Sequence, residues 1–194
     1  FWLKNMALLY APILVISALF FYLLLSQWRR RERKIELLSQ VDSLTDVYNR
    51  RYLTDFVENS QSRYAMIVLD LDFFKTINDN YGHEAGDMVL RRVAVILKSV
   101  IRNQDIVGRV GGEEFALILM EQDLVQALEV AERCRKVIEE QETILLDGTI
   151  ISVTASFGVA VASQGMSIDE VARLADKAMY LSKEKGRNQV QFIE

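Results

Sequence analysis

Apolar residues fall into different patterns along this chain, and each pattern predicts a different kind of element. Residues 6–25 carry no charged side chain, and a run of about 20 apolar residues is what a helix needs to cross a bilayer. Further on, short apolar runs predict buried strands, while apolar positions that repeat every three or four residues predict helices. The sequence therefore predicts one transmembrane helix followed by a domain of interleaved strands and helices.

The order of the strand-like and helix-like segments predicts a mixed sheet. Strands are predicted at residues 64–69, 106–110, 116–120, 150–161 and 188–193. Helices are predicted at residues 49–59, 86–100, 124–138 and 168–185, with a helical or looping segment at 73–81. Gly111 and Gly112 separate two strands and predict a two-residue hairpin turn, because such turns need positive φ. We expect an α/β (α+β) fold, in which helices pack on a mixed central sheet that contains antiparallel pairs.

Basic residues follow the long apolar run more often than they precede it. Lys4 precedes the run, and it is followed by Arg29, Arg30, Arg31, Arg33 and Lys34. By the positive-inside rule, the C-terminal domain is cytoplasmic. This predicts a protein of the bacterial inner (cytoplasmic) membrane, held there by its N-terminal helix. The alternatives are a buried core helix and a cleaved signal peptide, although a signal peptide would be shorter and carry a basic front and a cleavage site.

Residues 28–41 predict a helical linker, because they contain neither Gly nor Pro and apolar positions recur at Leu37, Val41 and Leu44. Pairing of this helix with a second copy in a coiled coil is one possibility, although the heptad pattern is short and imperfect. We therefore divide the chain into a transmembrane segment at 1–27, a linker at 28–41 and a domain at 42–194. The chain begins with Phe1, so we expect residues 1–27 to be the C-terminal part of a longer N-terminal region.

Charge and cysteine content narrow the range of functions. The formal net charge of the 194 residues is −4, whereas a nucleic-acid groove normally shows as a basic face. We therefore expect no nucleic-acid partner and favour a nucleotide as the ligand. Cys134 is the only cysteine of the chain, so no internal disulfide can form, and its helical context predicts a packed side chain.

Acidic residues stand at the ends of two predicted strands. Asp70 and Asp72 follow the strand at 64–69 and share one face, and Glu113 and Glu114 follow the two glycines. Adjacent carboxylates repel each other, so they are expected to meet water or a cation. If the two strands are neighbours, Asp70 and the glutamates form an all-oxygen cluster, which suits Mg²⁺ carrying phosphates and waters. A solvated turn is the alternative interpretation.

Three motifs in order along the chain carry a family resemblance. Residues 70–79 read DLDFFKTIND, residues 82–87 read GHEAGD, and residues 109–115 read RVGGEEF. Together they closely resemble the GGDEF family of diguanylate cyclases, in the GGEEF variant, and the match continues to the C-terminus. The resemblance implies that residues 42–194 are a catalytic domain with a palm-like fold similar to nucleotidyl cyclases. It also implies the reaction, which is condensation of two GTP molecules into cyclic di-GMP with release of two pyrophosphates.

The same resemblance implies a catalytic metal site. Asp70, Glu113 and the main-chain carbonyl of Leu71 would hold Mg²⁺ (or Mn²⁺), and Glu114 would share the site. One of the two glutamates would be the general base for the attacking hydroxyl, and the sequence leaves open which one.

The resemblance further implies a GTP site. Asn78 and Asp87 match the guanine-reading pair, because a carboxylate accepts both donors on the edge of guanine. The alternative for Asp87 is a helix N-cap. Lys183 and Arg187, together with Lys75, would contact the triphosphate. The alternative for Lys183 and Arg187 is that they only balance the dipole of the last helix. The other residues implied at this site are Phe74 and His83.

Regulation and assembly are implied as well. Arg102 and Asp105 form the Arg-x-x-Asp pattern that binds the inhibitory product in active relatives, and Arg133 would supply a further guanidinium. We therefore expect feedback inhibition by cyclic di-GMP. Because the product is two-fold symmetric, we also expect a homodimer in which two domains face each other.

Two other functions remain as alternatives. The first is a catalytically silent module that binds GTP or cyclic di-GMP and relays a signal, although such relatives usually lose the hairpin acids or Asp70. The second is an enzyme that makes a mixed cyclic dinucleotide, although Asp87 is retained at the base-reading position.

Overall fold

The computed structural model describes residues 21–22, 24–27, 40–60 and 62–193. The chain divides into two units, Phe1–Ser39 and Gln40–Glu194. In the first unit, residues 21–22 and 24–27 are helical. The predicted linker helix lies outside the described residues from 28 to 39. Its predicted end is wrong, because Val41 is not helical and instead forms an isolated antiparallel bridge with Tyr48.

The prediction of an inner-membrane protein is contradicted by the described helices. Within the described ranges, no helix is both long and apolar enough to cross a bilayer. The long helix His83–Val100, for example, has a charged face that includes Arg91 and Arg92. The predicted span at 6–25 itself lies mostly outside the described residues.

The second unit alternates strands and helices along the chain. In chain order, the described elements are β1 (Tyr48–Asn49), α1 (Arg50–Asn59), β2 (Tyr64–Leu71), α2 (Phe74–Tyr81), α3 (His83–Val100), β3 (Ile106–Arg109), β4 (Glu114–Met120), α4 (Leu124–Glu140), β5 (Glu142–Ile144), β6 (Ile150–Ser152), β7 (Ala155–Val161), α5 (Ile168–Glu184) and β8 (Val190–Phe192). The predicted strand at 150–161 is therefore two strands, β6 and β7.

The central sheet is mixed, which confirms the predicted fold class. Its strand order is β1-β3-β4-β2-β7-β8, and β5 and β6 form a separate antiparallel pair. The pairs β1–β3 and β7–β8 are parallel, and the other neighbours are antiparallel.

The central strand β2 separates two hydrophobic cores. Ile67 and Leu69 face the core formed with α2, α3 and α4, whereas Met66 and Val68 face the core formed with α1 and α5. Side chains alternate along a strand, so Asp70 continues the face that α1 and α5 cover. Asp70 therefore lies near the end of β2, beside the core that α1 and α5 cover.

Two helix ends differ from the prediction. Helix α3 begins at His83, directly after Gly82, so Asp87 lies in its second turn and is not an N-cap. Helix α5 ends at Glu184, and Gly186 follows it with a φ of 115°. Arg187 therefore lies beyond the helix and does not share a helical face with Lys183.

Candidate functional site

The turn between β3 and β4 is present where it was predicted, but its geometry is different. Neither Gly111 nor Gly112 has positive φ, so the predicted two-residue primed turn is wrong. The N–H of Val110 donates to the carbonyl of Glu114 at 3.0 Å and closes a longer turn. A Cβ at Gly111 would overlap the Glu114 carboxylate, so the Glu114 side chain would have to move to admit one.

Arg109 holds this turn from the side. Its Nε and Nη2 donate to the Gly112 carbonyl at 3.1 and 2.6 Å, and its Nη1 donates to Asp42 Oδ1 at 3.2 Å. Burial tends to raise the pKa of Asp42, but hydrogen bonds from Thr45 and Arg109 outweigh burial and leave this pKa below its ordinary value. No role was predicted for Arg109, and the available signal was its position two residues before Gly111.

Asp70 and Glu114 are directly opposite each other on the antiparallel strands β2 and β4. The N–H of Leu71 donates to the carbonyl of Glu113 at 3.3 Å, which joins the end of β2 to the turn. Like charges directly opposite destabilise a sheet. The ammonium group of Lys183, on α5, offsets this repulsion, with Nζ at 2.8 Å from Asp70 Oδ1. The ends of β2 and β4 that carry the two acids therefore face a positive charge.

Electrostatic coupling extends to the other glutamate of the turn, Glu113. Burial raises the pKa of Glu113, and the charges of Asp70 and Glu114 raise it further, while Lys183 acts in the opposite direction. Among the described residues, no three Asp, Glu, His or Cys side chains are grouped closely enough to hold a metal ion by themselves. The acids are neighbours, as expected, but they do not form a closed cluster.

The predicted guanine-reading residues lie on α2 and α3. Asn78 packs over the start of α3, since a Cβ on Gly86 would overlap its Oδ1. Asp87 follows Gly86 directly, so the Asn78 side chain lies against the residue next to Asp87 in the chain. Phe74 is buried beneath them, with Cζ at 3.0 Å from the same Cβ position. Lys75 on α2 and His83 at the start of α3 are both exposed.

Two of the three predicted triphosphate contacts, Lys183 and Arg187, lie against the end of β2 and the residues that follow it. Lys183 pairs with Asp70, as described above. Arg187 has a φ of 65°, and its guanidinium carbon lies 4.7 Å from the centroid of the Phe73 ring. Phe73 is 65% exposed and also has a positive φ, of 57°. Lys183 therefore lies against Asp70 in β2, and Arg187 lies against Phe73 just after this strand. The two cations do not share a helical face.

Asp72 is a buried carboxylate for which no separate role was predicted. Its Oδ1 accepts the hydroxyl of Ser156 at 2.7 Å. Its Oδ2 accepts the hydroxyl of Thr154 at 2.8 Å and the backbone N–H of Asn188 at 3.1 Å. No sequence motif marks these partners, because they are far from residue 72 along the chain.

The three residues expected to bind the product surround the end of α3. Arg102 is exposed, and Arg133 Nη2 donates to the carbonyl of Val100 at 3.1 Å. Asp105 is 5% exposed. Its carboxylate accepts the N–H of Met120 at 3.0 Å and the N–H of Arg102 at 3.2 Å. The Asp105 carboxylate is thus turned inward, whereas Arg102 and Arg133 are both exposed.

Comparison with known proteins gives matches over most of the chain. The family described as "Diguanylate cyclase, GGDEF domain" matches residues 39–189. Diguanylate cyclase A of Treponema denticola is 48% identical over 127 residues, which are 65% of this chain and 34% of that protein. The response regulator PleD of Caulobacter vibrioides is 38% identical over 162 residues, which are 79% of this chain and 36% of that protein. This chain thus spans well under half of either relative.

Solved structures share the fold. The diguanylate cyclase SiaD of Pseudomonas aeruginosa, in complex with its activator SiaC, has a TM-score of 0.76 at 33% identity and covers 98% of this chain and 77% of its own. The coiled coil and GGDEF domain of DgcB from Caulobacter crescentus, in complex with c-di-GMP, has a TM-score of 0.75 at 27% identity and covers 93% of this chain and 99% of its own. On the match over residues 39–189 and the geometry above, the chain belongs to the diguanylate cyclase GGDEF domain family.

Proposed function

We propose that this chain is a diguanylate cyclase, which condenses two GTP molecules into cyclic di-GMP and releases two pyrophosphates. The observation that carries the proposal is the pairing of Asp70 with Glu114 across β2 and β4, with Lys183 at 2.8 Å from Asp70. Carboxylates in this arrangement cost stability, so a function that needs them is the better explanation. The names of the relatives, which include a diguanylate cyclase at 48% identity, support the same conclusion.

The reaction asks this chain mainly for positioning and for charge. In each step a ribose 3′-hydroxyl attacks an α-phosphate, and pyrophosphate leaves. One of the Glu113 and Glu114 carboxylates accepts the proton of the hydroxyl. Lys183 and Arg187 balance the negative charge of the triphosphate, and Lys75 adds a third cation on the neighbouring helix.

The donor set fits a divalent cation, Mg²⁺ or Mn²⁺. Its ligands would be the carboxylates of Asp70 and Glu113 and the main-chain carbonyl of Leu71, with Glu114 beside them. All are hard oxygen donors, and Mg²⁺ is usually held by one or two carboxylates together with substrate phosphates and waters. An open, partial set of acids therefore fits better than a closed cage would. When bound, such an ion lowers the pKa of the attacking hydroxyl and neutralises charge on the phosphate.

Guanine selectivity comes from Asn78 and Asp87. Because Asn78 packs over Gly86, its amide lies next to the turn of α3 that carries Asp87. The Asp87 carboxylate accepts the two donors of guanine, and adenine lacks that pair of donors. Phe74 supports Asn78 from below, while His83 lies on the exposed first turn of the same helix.

The active form is a homodimer that its product inhibits. Each domain supplies one half-site, and a two-fold symmetric product requires two half-sites that face each other. Arg102 and Arg133 supply the cations for the product's phosphates. Asp105 fixes the turn that carries Arg102, through the N–H bonds described above.

Product analysis tests the proposal directly. The 194-residue chain is incubated with Mg²⁺ and GTP, ATP or both, and the products are identified by mass spectrometry. We expect cyclic di-GMP from GTP and no cyclic product from ATP. A chain that binds GTP without forming product would instead be the silent signalling module, and a GTP–ATP product would indicate a mixed-dinucleotide enzyme.

A further inference from the structure

A chain of hydrogen bonds links the end of β2 to helix α4 through Asn188. The Asn188 N–H donates to Asp72 Oδ2 at 3.1 Å. The Asn188 side chain accepts from Arg135 Nη1 at 2.9 Å and donates to Glu139 Oε1 at 2.7 Å. Arg135 also pairs with Glu139 at 2.7 Å. We call these four residues, Asp72, Asn188, Arg135 and Glu139, the clasp.

The clasp closes on a segment with an unfavourable backbone. Arg187 and Asn188 have φ values of 65° and 46°. Asn tolerates this left-handed region, whereas a long side chain such as that of Arg187 rarely adopts it. Such conformations persist only where the surroundings fix them. The Asp72 carboxylate and the clasp residues of α4 supply that fixation on both sides of Asn188.

The fixed backbone sets the direction of the Arg187 side chain. Its N–H donates to the carbonyl of Ser182 at 2.9 Å, and its guanidinium lies over the Phe73 ring. Phe73 follows Asp72 directly, so one short segment contacts the Arg187 guanidinium through the Phe73 ring and the next backbone N–H, that of Asn188, through Asp72. If the bond from Asn188 to Asp72 is lost, this orientation loses its support on the C-terminal side of Arg187, while the bond to Ser182 remains.

We propose that Asp72 is a positioning residue that holds Arg187 ready for the triphosphate of the substrate. The inference rests on the function proposed above, in which Arg187 contacts that group. Asp72 does not need to touch the nucleotide or a metal ion, since its two oxygens already accept three hydrogen bonds within the protein. Its effect on binding passes through Asn188.

Substitutions at residue 72 separate this role from that of a charged ligand. Asp72→Ala removes every bond, and we expect GTP affinity to fall about tenfold, the value of one hydrogen bond to a charged group. Asp72→Asn can still offer its amide oxygen to the Asn188 N–H, while Ser156 accepts from its NH₂. We therefore expect Asp72→Asn to bind GTP within about twofold of the wild type, since a bond with both partners satisfied is nearly conserved. A metal ligand or charged contact would instead be lost in both variants.

A double-mutant cycle tests whether the effect passes through Arg187. GTP affinity is measured by calorimetry for Asp72→Ala, Arg187→Ala and the double variant of the full chain. We expect Asp72→Ala to change affinity less than about twofold once Arg187 is absent, because residues that act through one contact are not additive. Asp147→Ala is the matched control, because it removes a carboxylate bond to the N–H of Thr149 in a distant turn. Full additivity in the cycle would overturn the proposal.

Amide hydrogen exchange provides a readout that needs no nucleotide. In Asp72→Ala, the amides of residues 186–189 should exchange faster than in the wild type, while those of β2 keep their protection. Unchanged exchange at 186–189 would overturn the clasp itself. If the wild-type chain made no cyclic di-GMP, the cyclase proposal would fail, and the exchange measurement would still decide the clasp.

Discussion

The Lys183 ammonium lies 2.8 Å from Oδ1 of Asp70, a carboxylate whose side chain is only 9% exposed. Asp70 also faces Glu114 across the strand pair and contributes to the raised pKa of Glu113. A single lysine therefore offsets the repulsion among three carboxylates. The repulsion is confined to the end of β2 and the turn that precedes β4.

Asp70→Asn should abolish cyclic di-GMP formation without unfolding the domain. The amide has the same shape but is a weaker cation ligand, and we expect the rate to fall about a hundredfold or more, as when a charge-stabilising group is removed from an active site. Mg²⁺ should raise the melting temperature of the wild type, by mass action on the folded state, but not that of Asp70→Asn. Asp55→Asn, at an exposed position on α1, is the matched control. A Mg²⁺-dependent shift that survives in Asp70→Asn would exclude Asp70 as a ligand.

Gly86→Ala should weaken guanine recognition by displacing Asn78. The new Cβ would overlap Asn78 Oδ1, although alanine is otherwise favoured over glycine in a helix by about 1 kcal/mol. We expect GTP affinity to fall about tenfold, since Asn78 loses its hydrogen bonds to the base. Affinity for inorganic tripolyphosphate should not change, because the cations of that subsite lie elsewhere. Calorimetry with both ligands makes the comparison, and wild-type affinity for GTP would contradict the role of Asn78.

Local patterns in the sequence were enough to predict the mixed sheet and the positions of the acidic residues at the end of β2 and after the two glycines. The apolar run before Asp70 and the two glycines before Glu113 are short-range signals, so strand, turn and carboxylates were located in advance. The reason for Gly111 could not be predicted in the same way. It depends on where the Glu114 side chain folds, which is a tertiary contact and not a backbone preference.

Long-range contacts account for the other differences. The partners of Asp72 are Thr154, Ser156 and Asn188, and no local pattern connects residues so far apart in the chain. The inward orientation of Asp105 depends likewise on Met120, in the neighbouring strand. Motif spacing marked Asp105 but gave Asp72 no separate role, and the donors to both carboxylates are visible only in the packed structure.

Arg109→Ala should reduce cyclase activity more than it reduces GTP affinity. Arg109 donates to the carbonyl of Gly112 and to Asp42. Neither partner is a predicted contact of guanine or of the triphosphate. We expect a rate loss of about tenfold, because small errors in the placement of Glu113 and Glu114 act on the chemical step. Steady-state kinetics together with calorimetric GTP binding provide the test. An equal loss in both quantities would argue against a positioning effect.

The Asp42–Arg109 pair should also make stability depend on pH. Hydrogen bonds keep the pKa of Asp42 below its ordinary value in the folded chain. The stabilisation is therefore fully present above the ordinary carboxyl pKa and is lost as pH falls through the folded value. We expect Asp42→Asn to be less stable than the wild type by about 1–2 kcal/mol at pH 7, with the difference shrinking below pH ~4. Urea unfolding at both pH values measures it, and a difference that grows in acid would refute the assignment.

Cys134 should be unreactive in the native domain. It is fully buried on α4, and burial raises the pKa of its thiol to about 12, slightly opposed by the charge of Arg133. Thiolate is the reactive form, so a disulfide reagent at pH 8 should label the chain only as it unfolds. Labelling in a urea series should therefore follow the unfolding curve measured by circular dichroism. Rapid labelling without denaturant would show that α4 opens locally.

Arg102→Ala should make the cyclase less sensitive to its own product. Arg102 is exposed, and Arg133 donates to the carbonyl of Val100, two residues before Arg102 in the chain; the proposed product site uses both guanidinium groups for the phosphates of cyclic di-GMP. Loss of one charge-assisted contact should raise the inhibitory concentration about tenfold. Arg133→Ala should act in the same direction, whereas Arg173→Ala, an exposed arginine on α5, should leave inhibition unchanged. Activity is measured against added cyclic di-GMP at fixed GTP. Asp105 accepts hydrogen bonds from the backbone of this turn, so its substitution could change stability as well as binding. The two arginine variants therefore give the cleaner test. Unchanged inhibition in both arginine variants would exclude these residues as the product site.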